Sequence, residues 1–349
     1  MSEYFGNIAG NAALRRRLAA EIKSGSFPHA YIIEGEEGSG RRTLARSIAA
    51  ALSCSNPDRL PCGECLACRK IFGNKTPDVI SVTPEQGKAS LGVDVAREIR
   101  RDVMTLPIDF AYKVYIFEGA DKMTPEAQNA LLLTLEEPPA FAVFLLICRS
   151  ATNLLVTVRS RAPTIRTEPI PPDVIEDYII SHDKRAAELK AESPGEFAEL
   201  ICAAGGCIGQ ALLLLDSDRR RPVMERRRLA RSFVGVAASK AQAREKLEVI
   251  SMFSQKREEI AEELRLITDA LRDLIILKKA KEAPLVFWAD RAAALELAAR
   301  FSLSELFLLI KRVEAAAEHI GRNANIKLTL TNLVFAGAQA QKRKDYNEQ

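Results

Sequence analysis

The sequence has few aromatic residues, few histidines and no long hydrophobic run. Aromatic residues fill 6% of the 349 positions, and only one of them is a tryptophan. With three histidines in the whole sequence, a site built mainly from imidazole groups is not indicated. The longest apolar run, Phe141 to Cys148, is far shorter than the roughly 20 residues that cross a bilayer. No basic stretch followed by an apolar leader is apparent, so we expect a cytoplasmic protein without a membrane segment.

The charges are nearly balanced, since 50 Lys and Arg oppose 46 Asp and Glu for a net charge of +4. Such a balance argues against a chain that binds nucleic acid over its whole surface. With 47% hydrophobic and 28% charged residues, 18 Gly and 16 Pro, the composition is that of a globular protein and excludes disordered and collagen-like classes. The length predicts two or three domains.

Residues 1–168 alternate short β-branched runs with helical stretches, which is typical of an α/β domain. The runs lack the apolar–polar alternation of a one-sided sheet, so they predict a parallel sheet covered by helices on both faces. One connecting helix is well marked, because Thr124 can cap it, Pro125 suits its first position and Pro138-Pro139 stops it. We expect strands at Ala30–Ile33, Val79–Val82, Lys113–Phe117, Val143–Ile147 and Thr164–Arg166.

The rest of the chain reads as helical. A stiff segment from Ile170 to Pro172 separates the α/β domain from a small helical unit at residues 169–218, and a longer helical array follows at 219–349. In that array apolar residues recur every three or four positions, as in helices that pack on other helices. The basic runs Arg219–Arg221 and Arg226–Arg228 are expected to form a solvated helix face. The recurring apolar residues are Ile260, Leu264, Ile267, Leu271 and Leu274.

A glycine-rich loop resembling a phosphate loop follows the first predicted strand, in the sequence G-E-E-G-S-G-R-R-T. Phosphate loops use glycines to close backbone N–H groups around phosphates, a Lys to reach the terminal phosphates and a Ser or Thr to hold magnesium. Here Arg41 stands in place of the Lys and Arg42 in place of the hydroxyl, with Thr43 one residue late. Nucleotide binding is therefore doubtful, and a turn without any ligand remains an alternative. The residues concerned are Gly35, Gly38, Gly40, Arg41, Arg42 and Thr43.

The second nucleotide element is incomplete as well. In ATPases an apolar strand ends in Asp-Glu, and these carboxylates hold magnesium and orient the attacking water. The strand K-V-Y-I-F-E supplies Glu118, which is followed by Gly119. Two independent losses argue against hydrolysis more strongly than either alone.

Four cysteines lie close together, at Cys54, Cys62, Cys65 and Cys68. Two-residue spacings let neighbouring thiolates bind one ion, and four thiolates fill the tetrahedral shell of a structural zinc. The cluster therefore predicts a zinc module at 54–68. Iron–sulfur ligation is disfavoured because the final x3-C-P of the ferredoxin pattern is missing. Free thiols are the remaining alternative.

Several segments together resemble the bacterial clamp-loader subunits of the AAA+ superfamily. They are P-H-A-Y-I-I-E-G-E-E-G-S-G, the four-cysteine insertion, Y-K-V-Y-I-F-E-G-A-D-K-M-T-P-E-A-Q-N-A-L-L-L-T-L-E-E-P-P, V-R-S-R-A and N-A-N-I-K-L-T-L-T-N-L, and the resemblance covers about residues 5–335. It implies an AAA+ RecA-like domain with a zinc insertion (1–168), a helical lid (169–218) and an all-helical collar for oligomerisation (219–349).

The resemblance also implies roles for two positions outside the loop. The family signature S-R-C appears here as Ser160-Arg161-Ala162, and its arginine is the finger that reaches the ATP site of an adjacent subunit. The lid of the ATP-hydrolysing motor subunits carries an arginine that touches nucleotide, and here Gly209 stands in its place. Together with Arg41, Arg42 and Gly119, this departure indicates an inert nucleotide site.

The expected function is therefore that of a non-hydrolysing stator in the clamp loader of DNA polymerase III. By resemblance, the partners are gamma/tau motor subunits and a delta subunit in a hetero-pentamer, with the sliding clamp and primed DNA reached through the complex. Two alternatives stay open. One is a divergent gamma/tau-like motor that hydrolyses ATP with Arg41 and Glu118, and the other is a zinc-stabilised adaptor unrelated to replication.

Overall fold

The computed structural model describes residues 4–84, 90–239 and 241–336. The chain divides into two compact units, Met1–His182 with Gly206–Gln210, and Asp183–Gly205 with Ala211–Gln349. The segment predicted as a lid, 169–218, contributes residues to both units. Among the described residues, no helix has the length and apolar character needed to cross a membrane.

The first unit contains a five-stranded parallel sheet in the order β2-β3-β4-β1-β5. All five strands confirm the prediction to within one residue at each end. Every residue of β4 is buried, as expected for a strand covered on both faces. The strands are β1 (Ala30–Glu34), β2 (Val79–Val82), β3 (Lys113–Glu118), β4 (Ala142–Cys148) and β5 (Thr164–Arg166).

Helices cover both faces of this sheet, and alternate strand residues enter two separate cores. Phe144 and Leu146 of β4 belong to the core on one face, whereas Leu145 and Ile147 belong to the core on the other. This division follows from the two-residue period of a strand. The helices of the unit are α1 (Ala12–Lys23), α2 (Arg41–Leu52), α3 (Leu66–Phe72), α4 (Val93–Asp102), α5 (Pro125–Glu136), α6 (Val156–Arg159) and α7 (Pro172–His182).

Helix α5 begins and ends where the sequence predicts. The Thr124 side chain accepts a hydrogen bond from the Ala127 backbone N–H at 3.2 Å, and Pro125 occupies the first turn. Glu137 is the C-terminal cap residue, immediately before the two prolines. The helix lies between β3 and β4 in the chain, and Glu136 is its last residue.

Among the described residues of the second unit every regular element is a helix, and α11 to α16 build its hydrophobic core. Residues predicted as its apolar stripe, such as Ile260, Leu264 and Leu271, are all buried on α13. Helix α10 has residues in both units. The helices are α8 (Lys184–Glu192), α9 (Pro194–Ala203), α10 (Ile208–Leu214), α11 (Ser217–Ala237), α12 (Ala243–Met252), α13 (Arg257–Lys279), α14 (Arg291–Ala299), α15 (Leu303–Gly321) and α16 (Ile326–Ala336).

The expectation of a solvated basic face on α11 is wrong for Arg227, which is only 2% exposed. Its Nε lies 3.2 Å from Glu199 Oε2, and its guanidinium lies 4.5 Å from the centroid of the Phe287 ring. The guanidinium also donates to the Phe287 carbonyl. A buried arginine is tolerated here because a carboxylate, a carbonyl and an aromatic face all compensate its charge.

A buried carboxylate supports an irregular segment of the first unit. Asp78, 1% exposed, accepts hydrogen bonds from the backbone N–H groups of Ile108, Asp109 and Phe110 at 2.6–2.9 Å. These three donors lie in the loop between α4 and β3. One side chain thus satisfies three backbone groups that no regular element pairs.

We therefore expect Asp78→Ala to lower the free energy of unfolding by about 2–4 kcal/mol, since it leaves several donors unsatisfied. Urea unfolding of the full chain measures this. Asp94→Ala is the matched control, because Asp94 is exposed and its pair with Arg97 is long at 3.4 Å. Equal stability of the two variants would contradict the supporting role of Asp78.

Candidate functional site

The carboxyl ends of β1, β3 and β4 meet at one edge of the sheet. Glu34 of β1 lies opposite Cys148 of β4, and Glu118 of β3 lies opposite Ile147. In open parallel sheets this edge is where ligands bind. The glycine-rich loop that follows β1 therefore lies beside the position predicted for the second nucleotide element.

The loop has the backbone conformation that its glycines predict. Gly38 and Gly40 both have φ of +84°, a region that other residues rarely adopt. A Cβ on Gly35 would lie 2.0 Å from Thr167 Oγ1, and that hydroxyl is 2.8 Å from Ser39 Oγ. The loop thus has the backbone conformation of a phosphate loop, and the hydrogen bond between Ser39 and Thr167 joins it to the segment that follows β5.

Both arginines of the loop are engaged by the protein itself. The Arg41 guanidinium donates to the carbonyl of Cys148, and burial lowers the pKa of Arg41. Arg42 Nε lies 2.7 Å from Glu118 Oε2, whereas Thr43 is exposed. The residue in place of the magnesium-binding hydroxyl therefore neutralises the carboxylate that remains of the second element.

The backbone at Gly209 and Gln210 packs directly against the glycine-rich loop. The Gly209 N–H donates to the Gly38 carbonyl at 3.0 Å, and Gln210 Nε2 donates to the Glu37 carbonyl at 3.3 Å. A Cβ on Gly209 would lie 2.8 Å from Gly38 Cα, closer than real side chains approach. An arginine at 209 is incompatible with this packing.

Arg161 does not join the loop. It follows α6, where its Nη1 donates to the Thr157 carbonyl at 2.8 Å and its Nη2 lies 2.5 Å from Glu136 Oε1. Sequence reasoning missed this carboxylate. The sequence Glu136-Glu137 before two prolines was the available signal. It places two acidic residues at the C-terminus of a helix, where negative charge is unfavourable, and so marks them as candidates for a partner of opposite charge.

The four cysteines of the cluster come together as predicted, with their sulfur atoms all within 4.8 Å of one another. Sulfur–sulfur distances of 3.9 Å separate Cys62 from Cys68 and Cys54 from Cys65. Zinc–sulfur bonds of about 2.3 Å in a tetrahedron place sulfurs about 3.8 Å apart. The arrangement therefore fits a zinc ion.

Backbone N–H groups point at these sulfurs. The N–H of Cys62 lies 3.4 Å from Cys54 Sγ, and that of Cys65 lies 3.3 Å from Cys62 Sγ. Burial raises the pKa of the Cys68 thiol. At Cys65 burial acts in the same direction, but hydrogen bonds, led by that from the Cys68 N–H, outweigh it and lower the pKa to about 6. Such bonds stabilise thiolates, the form that binds metal.

The cluster is also part of the hydrophobic core on its side of the sheet. Leu60, Cys62 and Cys68 pack in the same cluster as Phe5, and the Phe5 N–H donates to the Leu60 carbonyl at 2.7 Å. A metal at these thiols would stabilise this part of the core, and four thiolate ligands would leave no open coordination position for catalysis.

Residues 10–171 match a family model described as "DNA polymerase III, delta subunit". The chain is 30% identical over 213 residues to DNA polymerase III subunit gamma/tau of Mycoplasma pneumoniae, covering 61% of this chain and 30% of that protein. It is 29% identical over 242 residues to subunit delta' of Haemophilus influenzae, covering 69% of each chain, and 35% identical over 147 residues to subunit delta' of Yersinia pestis, covering 42% and 43%. The match thus spans less than a third of the gamma/tau relative.

We expect the purified chain to contain about one zinc per molecule and Cys62→Ser to lose it. Because Cys62 is buried in the core beside the other thiols, thermal unfolding should then occur at a lower temperature, by about 2–4 °C for each kcal/mol lost. Metal analysis and calorimetric scanning measure both effects. Cys202→Ser, remote in sequence from the cluster, is the control. Retention of zinc in Cys62→Ser would contradict the assignment.

Proposed function

Because the chain belongs to the bacterial clamp-loader family of AAA+ proteins, we propose that it is a clamp-loader subunit of DNA polymerase III of the delta-prime kind. In this role it does not hydrolyse ATP. It acts as a stator that helps load the sliding clamp onto primed DNA, and it supplies Arg161 to the ATP site of an adjacent subunit.

The observation that carries the non-hydrolysing role is the set of contacts made by the degenerate loop. Arg42 is paired with Glu118 at 2.7 Å, so this carboxylate has a counter-ion of its own, and Gly119 follows it in place of a second acid. Gly209 lies directly on Gly38. Hydrolysis requires a metal, an oriented water and an open phosphate cradle, and these contacts oppose all three.

The role of Arg161 rests on its chemistry and position. Arginine is always charged and binds phosphate through a planar fork, and this one lies on a surface segment outside the loop of its own subunit. A second subunit can therefore approach it. The proposed neighbours are gamma/tau motor subunits and a delta subunit in a hetero-pentamer, through which the chain reaches the sliding clamp and primed DNA.

Zinc has a structural part in this proposal. Cys54, Cys62, Cys65 and Cys68 would hold the ion and with it the insertion between α2 and α3. No step of the proposed function passes through the metal.

A divergent motor subunit is the second candidate, favoured by the 30% identity to a gamma/tau protein. In that case Arg41 would serve the phosphates and Glu118 would be the single catalytic carboxylate. The two candidates differ in whether the isolated chain binds nucleotide.

We expect no ATP binding to the purified, zinc-replete chain at millimolar nucleotide, with or without magnesium, measured by isothermal titration calorimetry. The physical reason is that Arg41, Arg42 and Gly209 are already engaged with the loop and its surroundings. A gamma/tau subunit titrated in the same way provides the positive control. Magnesium-dependent binding in the micromolar range would favour the motor candidate instead.

We expect Arg161→Ala to leave folding and assembly intact but to lower turnover at the adjacent ATP site by about 10³-fold or more, the range seen for arginine fingers. Single-turnover ATP hydrolysis in the reconstituted complex measures this, and gel filtration checks assembly. Arg159→Ala is the matched control, because Arg159 is exposed and two residues away. Unchanged turnover would remove Arg161 from the site.

A further inference from the structure

Arg161 has a counter-ion within its own subunit. Nη2 lies 2.5 Å from Glu136 Oε1, while Nη1 donates to the Thr157 carbonyl at 2.8 Å and lies 3.3 Å from Ser160 Oγ. The two side chains of the ion pair are 33% and 41% exposed. Across the described residues, the Nε–H finds no acceptor. The guanidinium is therefore held by a backbone carbonyl on one side and by a carboxylate on the other, and its Nε–H can still donate to a ligand.

Glu136 occupies a position that is unfavourable for an anion. It is the last residue of α5, Glu137 caps the helix, and the last turn holds no basic residue. The C-terminus of a helix carries partial negative charge, so two carboxylates there destabilise it. Proteins break such local rules most often at functional sites, so the position of Glu136 points to a functional role.

Exposed apolar side chains lie next to this pair. Leu133, one turn before Glu136 on α5, is 54% exposed, and Val156, adjacent to Thr157, is 70% exposed. An arginine beside exposed apolar residues is a common composition for the centre of a protein–protein interface. The pair thus lies on a surface suited to a protein partner.

We propose that Glu136 is a resident competitor for Arg161, and that docking of an adjacent ATPase subunit exchanges this carboxylate for the nucleotide polyphosphate. The inference rests on the proposed role of Arg161 in trans. If Glu136 stayed bonded to the guanidinium after docking, its carboxylate would lie beside the phosphates of the neighbour's nucleotide. The two negative groups would repel each other, so Glu136 must leave. The exposed ion pair is weak enough to be displaced. Docking breaks the ion pair between Arg161 and Glu136, and only a strong anion such as a nucleotide phosphate replaces it. Glu136 therefore makes docking more favourable with a neighbour that has nucleotide bound than with an empty one.

The test is the ATPase of a cognate gamma/tau subunit titrated with the full chain at saturating ATP. For Glu136→Gln, which removes the charge and keeps the shape, we expect the half-saturating concentration of the chain to fall by about two- to fivefold, the range of one exposed ion pair. Maximal turnover stays unchanged, because the same arginine is engaged after docking. The advantage should shrink as KCl is raised. Glu137→Gln, one residue away and outside the pair, is the matched control and should behave as the unaltered chain.

Arg161→Ala and the double variant separate the two ideas. If Arg161→Ala leaves turnover unchanged, the role of Arg161 in trans fails and the inference falls with it. If Arg161→Ala lowers turnover but Glu136→Gln matches Glu137→Gln, or itself lowers maximal turnover, only the competitor role fails. Because Arg161→Ala removes most of the turnover, the double variant is compared by calorimetric binding to the gamma/tau subunit. It should bind as Arg161→Ala does, and tighter binding than Arg161→Ala would also overturn the inference. Thermal unfolding of Glu136→Gln should be unchanged or slightly higher, and a clear loss would indicate a structural pair instead.

Discussion

The burial of β1 between β4 and β5 is the constraint on which the rest of the first unit depends. Ile32 and Ile33 pair with both neighbours and enter opposite cores. Because all the strands are parallel, the loop after β1 must emerge at the same edge as the ends of β3 and β4. Arg41 can then reach the Cys148 carbonyl, and Arg42 can reach Glu118. The geometry of a nucleotide site follows from the sheet, whether or not the side chains for its chemistry are present.

Irregular segments of this protein depend on single buried charges that bind backbone. Asp78 accepts from three N–H groups in the first unit, and Asp273, 1% exposed, accepts from those of Val286, Phe287 and Trp288 in the second. Arg227 adds a bond to the Phe287 carbonyl. Each charge is compensated by several partners, so its desolvation cost is offset and the segment is held in one conformation.

The extent to which the sequence predicts the structure differs between elements. A strand that is buried on both faces has a continuous apolar sequence, so the sequence predicts the strands to within one residue. Helix α5 is predicted equally well because its capping threonine and flanking prolines mark both ends. The cysteine cluster was predictable because thiols spaced so closely in sequence can come together in space. The partners of Arg42, Gly209 and Arg161 were not, since each contact joins residues far apart in the chain and only the tertiary fold brings them together. The burial of Arg227 was missed for the same reason: Glu199 and Phe287 lie in other segments of the chain.

The contact between Gly209 and Gly38 limits which substitutions the loop can accept. A substitution that restores a side chain at 209 must first displace the backbone it lies on, and restoring a lysine at 41 or a hydroxyl at 42 leaves that obstruction in place. Removing Arg42 alone leaves Glu118 without its counter-ion. Each of these substitutions therefore removes a present contact or leaves an obstruction in place. On the proposed non-hydrolysing role, a working site in this loop would therefore require changes at positions 41, 42 and 209 together.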